Sequence, residues 1–403
     1  MNARRSAIHL ILLFGLVSLF GDIIYEGARS VNGPYLKTLG ANAAVVGLIA
    51  GIGEFLGYAI RLATGYFADR TRGYWVFTFL GYGMLISVPL LALTGTWQLV
   101  ALLIVCERIG KAVRAPAKDT IVSQASKQVG TGFGFGLQEA MDQIGATAGP
   151  LIFSILFLSL GKGYRNVADY QYGYSLLWLP FVLLMVCVVL AYIRVPDPAV
   201  LEIPAAGKQE QDKLSKVFWI YTLFSFVATA GFANFVLIAY HLKDKHILSD
   251  AQIPLFYAVA MAVDGVVALL IGRMYDVLKK KRRNDRAGLS TLVLIPACSI
   301  LVPVFGFSFN PALAVAGILL WGVVMGIHET IMKSAIADLT PLKKRGTGYG
   351  IFNTSYGLAV FAGSALMGIF YDISITLVIW FAVAVQAASV PLFIALRRSI
   401  RET

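Results

Sequence analysis

The first long apolar segment of the sequence carries three ionisable residues, Asp22, Glu26 and Arg29. Their i, i+4, i+7 spacing places all three side chains on one face of a helix. Two carboxylates one helical turn apart repel each other, so one of them should hold a proton part of the time, and a nearby guanidinium favours its release. We therefore predict that these residues bind and release a proton. The alternative is a permanent ion pair between Glu26 and Arg29 that only anchors the helix.

A second group of ionisable residues lies on the fourth apolar segment, at Glu107, Arg108 and Lys111, followed by Arg114 and Lys118. Positions 107, 111, 114 and 118 share one helix face. Glu107, Arg108 and Lys111 lie deep enough in the segment to contact a solute, and a purely structural role is the alternative. Arg114 and Lys118 are expected near the end of the segment.

The composition shows what surrounds these charges. Hydrophobic residues make up 58% of the chain and charged residues 14%, and the mean hydropathy is +0.74, so lipid is the solvent. A charged side chain facing lipid at mid-membrane costs roughly 2.5 to 3.5 kcal/mol, so the ionisable residues must face protein or water. Twelve segments approach the length of about 20 residues that a spanning helix needs: 8–30, 43–68, 74–95, 97–120, 130–158, 173–194, 216–240, 252–277, 288–308, 312–337, 346–370 and 373–396. Because unpaired strands are excluded from lipid, we predict an all-α membrane protein with twelve transmembrane helices.

The formal net charge of +12 is explained by topology rather than by nucleic-acid binding. If Met1 is cytoplasmic, most basic residues outside the spans are cytoplasmic too, and the loops on the other side hold only Lys37, Lys162, Arg165, Lys243 and Lys245. This positive-inside asymmetry predicts that both termini are cytoplasmic, in a cell (inner or plasma) membrane. The basic N-terminus resembles a signal sequence, but the charges within the first apolar run indicate a retained helix.

The sequence contains no recognisable metal or cofactor motif. Cys106, Cys187 and Cys298 lie in apolar spans without metal-type spacing. His328-Glu329 lacks the second histidine of an H-E-x-x-H zinc site. We expect no metal, no cofactor and no enzymatic activity. A buried, hydrogen-bonded histidine is the simplest interpretation of His328, and contact with a solute is the alternative.

Two short motifs each occur twice, about half a chain apart. The stretch 65–69, G-Y-F-A-D, has a fainter copy at 272–276, G-R-M-Y-D, and 130–134, G-T-G-F-G, recurs as G-T-G-Y-G at 346–350. The chain therefore reads as a duplicated membrane protein. We predict an N-terminal six-helix half, a polar cytoplasmic linker and a C-terminal six-helix half, at 1–194, 195–215 and 216–403.

The first of these motifs, Gly65-Tyr-Phe-Ala-Asp69-Arg70, resembles the cytoplasmic G-x-x-x-D-R turn of the major facilitator superfamily. Segment count, repeat and linker also fit, so the resemblance covers the whole chain. The chain departs from the family's D-R-x-G-R order because Arg72 precedes Gly73. The resemblance implies two halves related by a pseudo-two-fold axis around a central cavity, with alternating access of a small-molecule substrate. It also implies gating roles for Gly65, Asp69, Arg70, Arg72, Arg114, Gly272 and Asp276.

Each motif aspartate is predicted to contact the N-terminus of a helix in the opposite half, where free N–H groups favour a carboxylate. Asp69 should lie near 346–350, and Asp276 should lie near 130–134. Arg114 and Lys118, at the membrane edge, are expected to steady the turn that carries Asp69.

The fifth segment adds Glu139 and Asp142 as proton-coupling candidates. Its sequence from Gly145 to Pro150 is similar to the G-x-x-x-G-P element of the family's antiporter branch, although the two glycines that usually follow are absent. The resemblance also implies that the first helix lines the cavity. The predicted cavity residues are Tyr25, Glu107, Arg108, Lys111, Gln138, Gln143, Asn234, Asp264, His328, Glu329, Asn353 and Tyr356.

The predicted spans hold eight acidic residues and six basic ones. Excess carboxylates in a low dielectric take up protons or bind a cation. Together with the antiporter-like element, this predicts a monomeric, proton-coupled transporter that exports a small organic solute and whose other partners are protons and membrane lipid. Three alternatives are a symporter that clamps an organic anion with Arg29, Arg108 and Lys111, a flippase for lipid or lysolipid, and an intramembrane enzyme. The enzyme would need a nucleophile–base or metal constellation.

Overall fold

A computed structural model describes residues 3–129, 131–161, 163–197, 214–282, 287–340 and 345–401. Every regular element within these ranges is a helix, and no strand occurs among them. The predicted all-α fold is therefore confirmed.

The helices of the first half lie at the predicted spans, with ends that differ by up to nine residues. They are α1 (Ala3–Thr38), α2 (Ala43–Thr71), α3 (Tyr74–Gly83), α4 (Trp97–Val129), α5 (Thr131–Ser159), α6 (Val167–Leu176) and α7 (Trp178–Arg194). Two 3-10 helices, Met84–Ser87 and Pro89–Leu93, extend α3. A proline lacks the N–H that a continuing α-helix would use, so the α3 rod changes to 3-10 geometry next to Pro89.

The second half repeats this arrangement with more interruptions. Its helices are α8 (Lys216–Ala230), α9 (Phe235–Asp244), α10 (Gln252–Arg282), α11 (Leu294–Ser299), α12 (Leu301–Gly306), α13 (Pro311–Leu339), α14 (Arg345–Ile373) and α15 (Ile375–Arg401). A 3-10 helix at Ala287–Val293 precedes α11. The α8–α9 rod is broken, and Asn234 restarts it as an N-cap by accepting a hydrogen bond from Val236 N at 3.0 Å.

Eleven rods in the described part of the chain are long and apolar enough to cross a membrane. The remaining long helix, α4, has the length but carries four charged residues, Glu107, Arg108, Lys111 and Arg114, within its first eighteen. Charges at this density are tolerated in a spanning helix only when they face protein or water. The charged residues of α4, and the helices that pack on them, are therefore candidates for the functional site.

The helices form two compact units that do not follow the midpoint of the chain strictly. The first unit comprises Met1–Gly40, Leu56–Gly207 and Asp250–Ala258, and the second comprises Ala41–Phe55, Lys208–Ser249 and Val259–Thr403. The first turns of α2 thus belong to the second unit, and the first turns of α10 belong to the first unit. The segment 198–213, which contains most of the predicted linker, lies outside the described residues.

Small residues allow helices to approach closely at equivalent places in the two units. In the first unit, a β-carbon at Gly149 of α5 would overlap the carbonyl oxygen of Ile23 on α1, and one at Gly145 would overlap that of Leu19. In the second unit, a β-carbon at Gly363 of α14 would overlap the carbonyl oxygen of Ala230 on α8. Such small-residue contacts are how helices associate in lipid. The antiporter-like glycines of α5 therefore have a packing role that is independent of transport direction.

Candidate functional site

Three cations surround the ring of Tyr25, a buried residue on α1. Lys111 Nζ lies 3.9 Å from the ring centroid, and the guanidinium carbons of Arg108 and Arg29 lie 4.4 and 5.9 Å from it. Arg108 Nη1 also donates a hydrogen bond to Tyr25 Oη. An aromatic face attracts cations, most strongly where water is excluded. Tyr25 is thus the centre of a cluster formed by α1 and α4, which we call the Tyr25 cluster.

Carboxylates from the same helices balance these cations. Glu107 and Arg108 are both buried, and Glu107 Oε2 lies 3.4 Å from Arg108 Nε. On α1, Glu26 Oε1 lies 3.6 Å from Arg29 Nη1. A buried charge is stable only when it is paired and hydrogen-bonded, so these contacts explain how the cluster is accommodated in the membrane-spanning region.

Glu26 has a further partner that does not come from α1 or α4. Tyr257, in the first turns of α10, is fully buried and donates a hydrogen bond from its hydroxyl group to Glu26 Oε2. This segment of α10 belongs to the same compact unit as Glu26. No local pattern in the sequence marks Tyr257, because only the packing of the chain brings a residue 231 positions later against Glu26.

Asp22 lies where α1 packs against α5. A β-carbon at Gly145 would lie 3.0 Å from Asp22 Cβ. The charges that act on Asp22 include those of Asp142 on α5, Lys111 on α4 and Glu26 on α1. The structure thus brings the predicted proton site and the predicted solute-contacting residues of α4 into one electrostatic cluster.

Acidic and basic residues are mixed in this neighbourhood. The carboxylates are those of Asp22, Glu26, Glu107 and Asp142, and the cations near them include Arg29, Arg61, Arg108, Lys111 and Arg114. Lys118, which was expected at the membrane edge, lies 3.9 Å from the carboxylate of Asp119.

The polar residues of α5 fall into two environments. Gln138 is buried, and its amide nitrogen has no hydrogen-bond partner among the described residues; the same holds for Gln143 Oε1. Buried polar atoms are usually satisfied by water or a ligand when protein offers no partner. Glu139 is exposed and Asp142 is half-buried.

The predicted site residues of the second half belong to the other compact unit. His328 is buried, with its ring 5.4 Å from that of Phe232 and 6.4 Å from that of Tyr356. His328 was expected to be hydrogen-bonded. Neither of its ring nitrogens has a hydrogen-bond partner among the described residues, so this expectation is wrong within that part of the chain. Stacking replaces hydrogen bonding because the neighbours of this ring are aromatic.

The other second-half candidates have structural contacts or lie at the surface. Asp264 is buried against Gly326 of α13, and Asn353 is half-buried. Glu329 is exposed, and its expected partner on the next turn lies outside the described side chains. Asn234 is the N-cap of α9. Whether these residues contact a solute stays a prediction.

The two signature turns occupy equivalent places in the two units. A β-carbon at Gly65 of α2 would touch Pro116 of α4 at 3.4 Å, and one at Gly272 of α10 would touch Thr330 of α13 at 3.4 Å. Asp69 Oδ1 accepts a hydrogen bond from Tyr74 at 3.1 Å. The glycines thus serve helix packing in both copies. Residues 130–134, expected near Asp276, and residues 346 and 347, expected near Asp69, lie outside the described side chains, so both contacts stay predictions.

Among the basic residues around the first turn, Arg114 has contacts other than the expected ones. Arg114 is buried, lies over the Tyr82 ring at 4.9 Å and donates to the carbonyl of Gly81 at 3.4 Å, so it contacts α3. Gly81 and Gly110 allow α3 and α4 to approach closely enough for this contact. Arg70 donates to Tyr66 at 3.2 Å, and Arg72 adopts a left-handed conformation with φ of +51°.

Comparison with known sequences identifies the family. The profile of the Major Facilitator Superfamily matches residues 11–364. The chain belongs to this superfamily. The resemblance inferred from the signature turn, the repeat and the segment count is confirmed, and the chain is an integral membrane protein of the transporter type.

Curated proteins similar to this chain occur in a bacterium and in an archaeon. An uncharacterised protein of Mycobacterium tuberculosis is 37% identical over 400 residues, which are 97% of this chain and 94% of that protein. An uncharacterised superfamily-type transporter of Methanocaldococcus jannaschii is 22% identical over 377 residues, covering 90% and 89%.

Solved structures of superfamily transporters show the same fold. A bacterial homologue of the human lysosomal transporter Spinster, inward-facing and unoccupied, aligns with a TM-score of 0.66 at 14% identity, covering 97% of this chain and 95% of that one. A transporter of the POT family in complex with a thioalcohol-conjugated peptide aligns with a TM-score of 0.72 at 12% identity, covering 97% and 96%. At these identities the likeness concerns the fold alone.

Proposed function

We propose that the protein is a proton-coupled secondary transporter that exports a small organic solute. The observation that supports this best is the Tyr25 cluster, in which buried and half-buried carboxylates and cations of α1 and α4 lie around one aromatic ring. Burial makes each charge dependent on its partner, so a change of partner changes which carboxylate holds a proton. Asp22, Glu26 and Arg29 are the proposed proton-coupling residues, with Glu139 and Asp142 on α5 as further candidates.

The proposed cycle uses the same cluster for proton and solute. A solute that approaches Arg108 or Lys111 competes with Glu107 and with the Tyr25 ring for the cation. When Arg108 or Lys111 binds the solute instead, its distance from Asp22 and Glu26 changes. The electrostatic stabilisation of these two carboxylates then changes as well. One proton that crosses a potential of 100 mV supplies about 2.3 kcal/mol, which supports a solute gradient of roughly 50-fold.

A symporter for an organic anion is the second candidate, and one observation favours it. Arg29, Arg108 and Lys111 all lie within 6 Å of the Tyr25 centroid. Three cations beside one aromatic face would suit a planar solute that carries a carboxylate. In this reading the carboxylates Glu26 and Glu107 hold the cations until the solute replaces them.

One experiment tests the proposal and separates the two candidates. A thermal-shift screen of the purified protein against metabolites and drug-like compounds identifies a solute. The protein is then reconstituted in vesicles with a pH-sensitive dye in the lumen, and a gradient of that solute is applied without a pH gradient. Antiport moves protons opposite to the solute, and symport moves them with it. Solute flux without any change in luminal pH would contradict proton coupling.

We also infer that both termini face the cytoplasm, from the excess of lysine and arginine in the alternate loops. Cysteines introduced at two exposed positions test this in cells, with the three native cysteines replaced. Tyr164 is exposed in the loop after α5, and Arg72 is exposed after α2. The residue at position 164 should react with an impermeant maleimide in intact cells, and the one at position 72 only after permeabilisation. The reverse pattern would overturn the orientation.

A further inference from the structure

The two carboxylate oxygens of Glu26 contact two different parts of the protein. Oε1 lies 3.6 Å from Arg29 Nη1, within the Tyr25 cluster. Oε2 accepts a hydrogen bond from Tyr257, in the first turns of α10. Glu26 thus contacts both Arg29 and α10, and a change in its charge reaches both contacts.

The segment 250–258, which contains Tyr257, is held on the first compact unit by further hydrogen bonds. Asp250 accepts from the backbone N–H of Arg165 at 2.6 Å and from the Tyr170 hydroxyl at 2.8 Å. Ser154 Oγ donates to the Ala251 carbonyl at 2.9 Å. The rest of α10 belongs to the second compact unit. The residues just before α10 and the first turns of α10 are therefore attached to the rest of the first unit by identifiable polar bonds.

We propose that Tyr257 is a positioning residue that makes the attachment of segment 250–258 depend on the protonation of Glu26. This inference rests on the proposed proton coupling and names the device that would convert it into movement. When Glu26 is ionised, its hydrogen bond with Tyr257 holds the segment; when Glu26 binds a proton, the bond weakens and the segment is released more often.

The direction follows from hydrogen-bond strength. A bond to an ionised acceptor is roughly twice as strong as one between neutral groups. Because Tyr257 is fully buried, its hydroxyl cannot exchange a weakened bond for water without movement of the segment. The charged and titratable groups around the Glu26–Tyr257 contact are Arg29 and Asp22 on α1 and Arg108 and Lys111 on α4. The segment also contains Asp250, a second ionisable residue that bonds to the rest of the unit. The effect of Asp250 on the pH dependence must therefore be measured separately.

The test measures release of the segment directly by thiol labelling of the full-length protein. The native cysteines are replaced, and a single cysteine is placed at Ala251, which is buried. A second protein carries the cysteine at the neighbouring exposed residue, Gln252. The ratio of the two rates of reaction with a soluble maleimide cancels the intrinsic effect of pH on thiols. In the otherwise unchanged background, we expect this ratio to rise about tenfold from alkaline to acid pH.

Two matched substitutions, each removing one hydroxyl, identify the cause. Tyr257→Phe should give a high ratio at every pH, because the bond that depends on Glu26 is absent. Tyr170→Phe removes the bond to Asp250 instead, so it should raise the ratio and leave its pH dependence intact. Glu26→Gln should behave as Tyr257→Phe does. If Tyr257→Phe keeps the pH dependence and Tyr170→Phe abolishes it, Asp250 is the sensor and the proposal is overturned.

Labelling requires no solute, so the proposal and the proposed function can fail separately. If labelling depends on pH and on Tyr257 while vesicles show solute flux without proton movement, the device exists and proton-coupled transport is wrong. If vesicles show proton-coupled flux while the labelling ratio is constant across pH, the function holds and the role of Tyr257 is overturned. A Tyr257→Phe protein that fails to fold is replaced by Glu26→Gln, which removes the same charge-dependent bond from the other side.

Discussion

The ammonium group of Lys111 on α4 lies 3.9 Å from the centroid of the Tyr25 ring on α1. Arg108, one turn earlier on α4, lies over the same ring and also donates to its hydroxyl group. The ring therefore holds two cations of α4 beside the acidic residues of α1. Tyr25 contributes in two separable ways, through its aromatic face and through its hydroxyl group.

Replacing Tyr25 should separate these contributions. Tyr25→Phe keeps the aromatic face and loses one hydrogen bond, so we expect most of the transport activity to remain. Tyr25→Leu loses the face, which is worth about 0.5 to 2 kcal/mol for each cation, and we expect transport to fall at least tenfold. Solute exchange in vesicles measures both. Equal activity of the two variants would show that the ring only fills space.

Replacing Asp22 should distinguish a proton switch from a structural anchor. Asp22→Asn cannot release a proton, so pH-driven transport should be lost while exchange of solute without a pH gradient and thermal stability are largely retained. Under the anchor interpretation, Glu26→Gln and Arg29→Ala lower expression, and Asp22→Asn behaves nearly as the unaltered protein does. Full pH-driven transport by the double variant Asp22→Asn, Glu26→Gln would end the assignment of a proton site to this helix.

The close approach of α1 and α5 should be sensitive to a single methyl group. A β-carbon at Gly149 would overlap the Ile23 carbonyl, a backbone atom that cannot rotate away, so Gly149→Ala should destabilise the protein by about 1 to 3 kcal/mol. Gly83→Ala is the control, because Gly83 has a helical conformation and no atom lies within 4 Å of its added β-carbon. Thermal unfolding in detergent compares them. A Gly149→Ala protein as stable as the control would refute the packing role.

The exchanged order of Arg72 and Gly73 should cost stability. Arg72 has φ of +51°, a left-handed conformation that disfavours residues with a side chain by roughly 1 to 2 kcal/mol. Glycine avoids this penalty, but the greater entropy of its unfolded chain costs about 0.5 to 1 kcal/mol. The net effect of Arg72→Gly should be to stabilise the protein by about 0.5 to 1 kcal/mol. Arg70→Gly, within helix α2, should destabilise it by about 1 kcal/mol. Shifts of the same sign for both in thermal unfolding would contradict this explanation.

The chain's membrane character was predictable from hydropathy because lipid requires every spanning segment to pair its own backbone and to present an apolar surface. The same requirement made the charges of α1 and α4 conspicuous, since each would be unfavourable against lipid. The signature turn and the repeated motifs then identified the superfamily. None of these steps needs a distant contact, because spacing along a helix decides which side chains share a face.

The partners of those charges were not predictable. Arg114 was expected beside Asp69, but the glycines at 81 and 110 bring α3 close enough for Arg114 to bond there. His328 was expected to be hydrogen-bonded, but it stacks on Phe232. In both cases the partner of the side chain depends on which neighbouring element approaches it. For Arg114 that approach is set by glycines on two helices at once.

The sequence by itself determined the helices, the repeat, the family and the set of buried ionisable residues, because each follows from local periodicity and from the cost of charge in lipid. Only the tertiary structure decided that Tyr25 gathers the cations of α4 and that Tyr257 meets Glu26. A hydrogen bond between residues so far apart in the chain is specified by the packing of segment 250–258 within the first compact unit, and no pattern within either segment encodes it.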